Sequence, residues 1–140
     1  MEEQDCLIWS RIINSDVIHQ HFGYWPTFHA AEIVKVAFET HVTGRYSVTF
    51  VIDPYRSWAS RSPHQEATDC LIEMQFLGIE EMSFASFRAQ NVLEELWFED
   101  RGSLIKAYFD SPDEMQTQIL AEEVIVLSLV PKNQTRSDLM

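Results

Sequence analysis

The sequence has few of the residues that most catalytic and metal-binding motifs require. It contains only four glycines and two cysteines in 140 residues. No phosphate-binding glycine loop, GxGxxG fingerprint, GxSxG elbow or HExxH pair occurs. Cys6 and Cys70 form no CxxC pair, so neither a disulfide scaffold nor a zinc site is expected. These absences argue against the common hydrolases, nucleotide-binding enzymes and zinc proteins.

Long apolar runs and positive charge are also scarce. No run approaches the ~20 residues of a membrane span, and the first residues, "MEEQDCLIW", are acidic where a secretory signal carries lysine or arginine. Ten Lys and Arg against 22 Asp and Glu give a formal net charge of −12, which repels nucleic-acid backbones and anionic lipid headgroups. We therefore expect a cytoplasmic protein that binds neither nucleic acid nor membranes. Its macromolecular partner, if it has one, is cationic, although acidity can also serve solubility alone.

The composition predicts one globular domain. Of the 140 residues, 46% are hydrophobic, and no linker, repeat or low-complexity tract divides the chain. We expect a single domain over residues 1–131 and a flexible polar tail over residues 132–140.

The first part of that domain has a helical pattern. Over residues 7–22 apolar side chains recur every three or four residues, which predicts one or two short amphipathic helices. Asn14 or Ser15 can cap the second of them, and Gly23 is expected to end it.

From Glu32 onwards the period is that of strands. "EIVKVAFET" and "RYSVTFVID" alternate, with Val34, Val36 and Phe38 predicted on one face of the first, and "HVTG" between them predicts a hairpin loop. Further strands are predicted at "TDCLIEMQFLG", after a turn or helix at 87–91, at "SLIKAYFD" and at "TQILAEEVIVLSLVP". The predicted fold is therefore α+β, an N-terminal helical segment packed on an antiparallel β-sheet of about six or seven strands.

Candidate chemical groups are poorly arranged for catalysis. His19, His21 and His29 do not have the i, i+4 spacing of ligands on one helix face, so no metal site is predicted. Cys70 falls on the apolar face of a strand, which favours a buried side chain over a nucleophile. Since nothing specifies a pair of catalytic carboxylates, we expect no catalytic residues and no cofactor.

"FGYWPTFHAAEI", at 22–33, concentrates rigid aromatic surface in one segment. Gly23 ends a helix, Trp25 precedes proline and is held extended, and Pro26 fixes its own φ. We predict an aromatic clasp between helix and sheet, formed by Phe22, Gly23, Tyr24, Trp25, Pro26, Phe28 and His29. The alternative is a small ligand-binding domain or enzyme that uses this region as a pocket.

This segment carries a resemblance to a known family. Together with "DCLIEMQFLGIEEM", "FRAQNV" and "EEVIVLSLVP", it resembles the immunity protein 50 family, from about residue 7 to residue 131. The resemblance implies a bacterial immunity protein that binds and neutralises a cognate toxin, without catalysis. One departure is Ala30, where the family element usually has aspartate.

The partner expected from this resemblance and from the charge is a protein toxin with a basic surface, and the protein itself could form a homodimer. Exposed aromatic side chains beside carboxylates are suited to anchor and steer such a partner. The predicted toxin-binding residues are Trp58, Glu80, Glu81, Glu94, Glu95, Trp97, Glu99 and Asp100.

Overall fold

A computed structural model describes residues 8, 10–23, 25–54, 70–87, 90–111 and 116–131. Among these residues, 66% lie in strands. The elements are β1 (Ile12–Ile13), α1 (Ser15–Phe22), β2 (Glu32–Thr40), β3 (Tyr46–Asp53), β4 (Cys70–Ala85), β5 (Asn91–Val92), β6 (Glu95–Arg101), β7 (Leu104–Asp110) and β8 (Gln116–Pro131). The predicted tail at 132–140 lies outside the described residues.

The strands form one curled sheet in the order β5-β2-β3-β4-β8-β7-β6, with antiparallel neighbours throughout. The predicted fold class was wrong, because the protein is mostly β and is not a helical segment packed on a sheet. Part of the N-terminal segment joins the sheet itself. Ile12 and Ile13 pair in parallel with Val124 and Ile125 of β8, which leaves α1 with only eight residues.

The cap of α1 also differs in part from expectation. Gly23 ends the helix at φ 84°, as predicted, and its N–H donates to His19 O over 2.8 Å. Asn14 occupies the N-cap position but makes no side-chain cap there. Its Nδ2 donates instead to Val126 O of β8 over 3.2 Å, so the side chain fastens the start of α1 to the sheet.

The strand pattern after Glu32 was predicted well. β2 and β3 occupy the predicted segments and pair as a hairpin, closed by a hydrogen bond from His41 N to Arg45 O. The predicted apolar face of β2 fails at Val34, because a β-bulge between Ile33 and Lys35 shifts the register there. Val34 is consequently exposed, while Ile33 is buried in its place.

The sheet curls into a half-barrel that brings its two ends near each other. β5 and β6 stand at opposite ends of the strand order, yet Val92 and Glu95 are close in sequence. The two residues that connect β5 to β6 must therefore bridge the two edges of the sheet. The curl encloses a core of aromatic rings: Phe50, Phe76 and Phe109 have no exposed surface, and the Phe50 and Phe109 rings stack with centroids 4.4 Å apart.

Gly78 marks the sharpest irregularity of β4. It has φ 73°, and a β-bulge follows between Ile79 and Glu81. A Cβ added at Gly78 would overlap the Glu122 carboxylate on β8. Gly102 has the same φ of 73° but no atom near the position of an added Cβ.

These two glycines give a matched test of that close approach. Both Gly78→Ala and Gly102→Ala should incur the cost of a left-handed non-glycine residue, about 1–2 kcal/mol. Gly78→Ala should lower the free energy of unfolding further, because Glu122 must move and loosen its ion pair with Arg45. Urea unfolding of the two variants measures the difference; equal losses would mean that the Glu122 contact is unimportant.

Candidate functional site

The aromatic segment closes the gap between the two ends of the sheet. Leu96 N of β6 donates to Thr27 O over 3.1 Å, and Leu93 N donates to Ala31 O over 2.7 Å. Ala30 N returns a hydrogen bond to Leu93 O over 2.8 Å. These hydrogen bonds satisfy backbone groups of Leu96 in β6 and of Leu93 between β5 and β6 that would otherwise be open.

The rings of the same segment pack inward. Phe28 has no exposed surface, and Phe22 and Pro26 are buried as well. The half-buried Trp25 ring meets Phe28 and Phe98 edge to face, with centroids 6.1 and 6.3 Å away. His29 is exposed, and its Nδ1 lies 3.1 Å from Glu94 O. Tyr24 lies outside the described residues.

Ala30 stands in a backbone conformation that alanine tolerates poorly. Its φ is 68°, in the left-handed region that asparagine and aspartate adopt more readily. We expect Ala30→Asn and Ala30→Asp each to raise the free energy of unfolding by about 1 kcal/mol, because both relieve this backbone strain. Chemical denaturation measures the gain. Stabilisation by aspartate alone would show instead that a carboxylate interaction is involved.

The outer face of β6 and β7 carries a connected polar and aromatic patch. We call it the β6–β7 patch, and it consists of Trp97, Glu99, Arg101, Lys106, Tyr108 and Asp110. Trp97 and Tyr108 stack with centroids 3.9 Å apart, and Trp97 Nε1 donates to Asp110 Oδ2 over 3.0 Å. Because of these two contacts, one ring face and the N–H of this predicted anchor are engaged within the protein. Trp97 is nevertheless 36% exposed.

Glu99 is held in its charged form within the patch. The Tyr108 hydroxyl donates to Glu99 Oε1 over 2.7 Å, and Arg101 Nε donates to the same oxygen over 2.7 Å. These two donors lower the pKa of Glu99, the tyrosine hydrogen bond having the larger effect. Burial and the Glu99 hydrogen bond raise the pKa of Tyr108.

Removing the Tyr108 hydroxyl should eliminate the larger of the two effects that lower the pKa of Glu99. In Tyr108→Phe the pKa of Glu99 should rise toward its ordinary value, as followed by NMR titration of its side-chain carboxyl. A carboxyl group whose pKa is lower in the folded than in the unfolded protein stabilises the fold above its unfolded-state pKa, and this stabilisation is lost as the pH falls through its folded-state pKa. Since the pKa of Glu99 is lowered less in the variant, the variant should lose less stability on acidification. Tyr46→Phe, remote from Glu99, is the control. An unchanged Glu99 titration in Tyr108→Phe would contradict the assignment.

A second surface lies where the β2–β3 hairpin meets the middle of β4. This groove of about 370 Å³ is the hairpin groove, and its lining residues are Phe38, Glu39, Thr40, Tyr46, Ser47, Ile79, Glu80, Glu81 and Met82. It brings the predicted residues Glu80 and Glu81 together with two exposed aromatic rings. Sequence reasoning did not select Phe38 or Tyr46 as binding residues, because strand alternation placed Phe38 on an apolar face with Val34 and Val36.

The other predicted carboxylates are spread over different surroundings. Asp100 pairs with Arg11 over 2.8 Å, while Glu94 and Glu95 are exposed where β5 leads into β6. The structure thus places Glu99 and Trp97 in the β6–β7 patch and Glu80 and Glu81 in the hairpin groove, rather than in one site. Trp58 lies outside the described residues.

The histidines of the described residues do not converge on a metal site. His21 Nε2 lies 3.5 Å from Sγ of the buried Cys70, a contact between α1 and β4 that no sequence pattern indicated. Within the described ranges, no group of three or more His, Cys, Asp or Glu could hold a metal ion. In the same ranges, no helix is long and apolar enough to cross a membrane.

A groove of about 390 Å³ lies beside Trp25 and is the place to test the ligand-binding alternative. Its lining residues are Ile8, Trp25, Pro26, Thr27, Glu95, Leu96, Trp97 and Phe98. His29, the histidine of the aromatic segment, does not contribute to that lining.

Comparison with known proteins identifies the family. The model of the family described as immunity protein 50 matches residues 14–131. This range includes α1 and every described strand except β1. The chain belongs to the immunity protein 50 family. No curated protein and no solved structure matched the chain.

Proposed function

We propose that this protein is a bacterial, cytoplasmic immunity protein that binds a cognate toxin and neutralises it by stoichiometric occlusion, without catalysis. The observation that carries the proposal is membership of the immunity protein 50 family over residues 14–131. The net charge of −12 supports a partner with a basic surface and disfavours nucleic acid and anionic membranes.

The distribution of charge supports binding of a cationic protein. Several carboxylates are already matched within the chain: Glu99 by Arg101, Asp100 by Arg11, and Glu122 and Glu123 by Arg45. Glu80, Glu81, Glu94 and Glu95 form no ion pair with any described residue. These four keep their charge available, so a basic partner need not displace an internal cation to reach them.

Coexpression with a toxin domain encoded by a gene adjacent to that of this protein tests the proposal. The isolated toxin domain should arrest growth of a bacterial host, and coexpression should restore growth and yield an equimolar complex by size-exclusion chromatography with light scattering. Light scattering of the free protein also tests whether it forms a homodimer. Absence of any complex would overturn the proposed function.

Titration of toxin activity separates occlusion from catalysis. If the protein acts by occupying the toxin, substoichiometric amounts should inactivate only the matching share of toxin molecules, however long the incubation. Complete inactivation by a small molar fraction would show turnover, and would favour an enzyme instead.

A further inference from the structure

The hairpin groove has the composition of an interaction site rather than of an ordinary surface. Three large apolar side chains remain outside the core there: Phe38 is 60% exposed, Tyr46 59% and Met82 41%. Large apolar side chains left adjacent and exposed commonly mark a binding surface. Unlike Trp97, neither Phe38 nor Tyr46 has a ring face stacked on another ring among the described residues.

The aromatic floor of the groove rests on the core. The Phe38 ring meets Phe84 edge to face with centroids 5.6 Å apart, and Phe84 stacks on the buried Phe50 at 6.3 Å. Phe38 is therefore supported from beneath while most of its surface faces solvent. A ring held in this way loses little conformational freedom when a partner covers it.

The rim of the groove is acidic. Glu39, Glu80 and Glu81 line it, and no lysine, arginine or histidine in the described part of the chain pairs with any of them. Glu80 is the extra residue of the β4 bulge between Ile79 and Glu81, so this local irregularity brings two consecutive carboxylates to one groove. Glu81 also borders a second groove with Lys106, again without an ion pair.

Aromatic rings beside unpaired carboxylates match one side chain better than any other. A guanidinium group stacks on aromatic faces and donates two parallel hydrogen bonds to the oxygens of a carboxylate. We propose that the hairpin groove binds an arginine side chain presented by the toxin, stacked against Phe38 or Tyr46 and paired with Glu80 and Glu81. This inference rests on the proposed function for the identity of the partner, but not for the chemistry of the groove.

Binding kinetics with the adjacent-gene toxin domain test the inference against a matched control. Glu80→Gln/Glu81→Gln and Glu94→Gln/Glu95→Gln each remove two exposed charges, so both should slow association similarly. The groove variant also removes the proposed contact with the arginine, so it should raise the dissociation rate above that of the unmodified protein, by about tenfold or more. Phe38→Ala should also raise the dissociation rate, and thermal unfolding must show that each variant remains folded. A dissociation rate of Glu80→Gln/Glu81→Gln equal to that of the unmodified protein would overturn the inference while leaving the proposed function intact.

A small probe decides the groove chemistry without the toxin. Titration with N-acetyl-arginine methylamide should produce saturable NMR shifts of the Phe38 and Tyr46 ring signals, which Glu80→Gln/Glu81→Gln should abolish. The citrulline analogue, neutral and nearly the same shape, should produce none. Arginine shifts without toxin binding would reject the proposed function alone, whereas toxin binding without arginine shifts would reject the groove assignment. A concentration-dependent homodimer that Phe38→Ala abolishes would also overturn it, since a second copy would then occupy the groove.

Discussion

Trp25→Ala should lower the free energy of unfolding by about 3 kcal/mol, at the lower end of the loss expected for a core aromatic because its ring is half-buried. The ring fills the space between Phe28 and Phe98, so its removal leaves a cavity beside the segment that closes the sheet. Denaturant unfolding followed by circular dichroism measures the change in midpoint and slope.

The control for Trp25→Ala is an aromatic truncation that creates no internal cavity. Tyr46→Ala removes a ring of which 59% is exposed, and should therefore change stability far less. A Trp25→Ala variant that keeps its stability but no longer binds a partner would contradict a structural role. It would place function in the groove beside Trp25 instead.

Toxin association should depend strongly on salt. Raising the ionic strength from about 0.1 M to 1 M shortens the Debye length from about 10 Å to 3 Å, so the association rate should fall by about tenfold or more. The dissociation rate should change much less, because short-range contacts determine it. Stopped-flow measurements over a salt series separate the two rates.

Charge reversal identifies which carboxylates contribute to this steering. Glu94→Lys/Glu95→Lys should slow association and flatten its salt dependence without unfolding the domain, since both side chains are exposed. Trp97→Ala should mainly speed dissociation if the free face of that ring contacts the toxin. An association rate that is equal at low and high salt would eliminate charge steering as the reason for the acidic surface.

Local patterns predicted the strands because burial on one face imposes alternation directly on the sequence. Cys70, Ile72, Met74 and Phe76 alternate in β4 and are all buried, as expected. The strand at Ile12–Ile13 escaped prediction because its partner, β8, lies far away in sequence and its own apolar spacing also fits a helix. The fold class was wrong because strands dominate the protein, while the N-terminal segment contributes one described helix of only eight residues.

The candidate site was predictable to the extent that charge is visible in sequence. Glu80 and Glu81 were identified as binding residues, but no pattern showed that they would meet Phe38 and Tyr46. That meeting depends on how far the β2–β3 hairpin extends, since the pairing of β3 with β4 begins only at Ser47 and Leu77. Tyr46 lies just beyond that point and Phe38 pairs with Val48 just inside it, so both rings keep the apolar alternation of their strands but lie near the end of the hairpin.

The position of β8 determines when the molecule can complete its fold. One edge of β8 pairs with β4 along its length, while the other pairs first with β7 and then with β1. Since β8 follows every other described strand, a ribosome must synthesise it before those strands acquire their shared neighbour. Such non-local pairing typically makes folding slow, on the order of milliseconds to seconds. On the proposed function, binding of a toxin would therefore begin only after β8 has been synthesised.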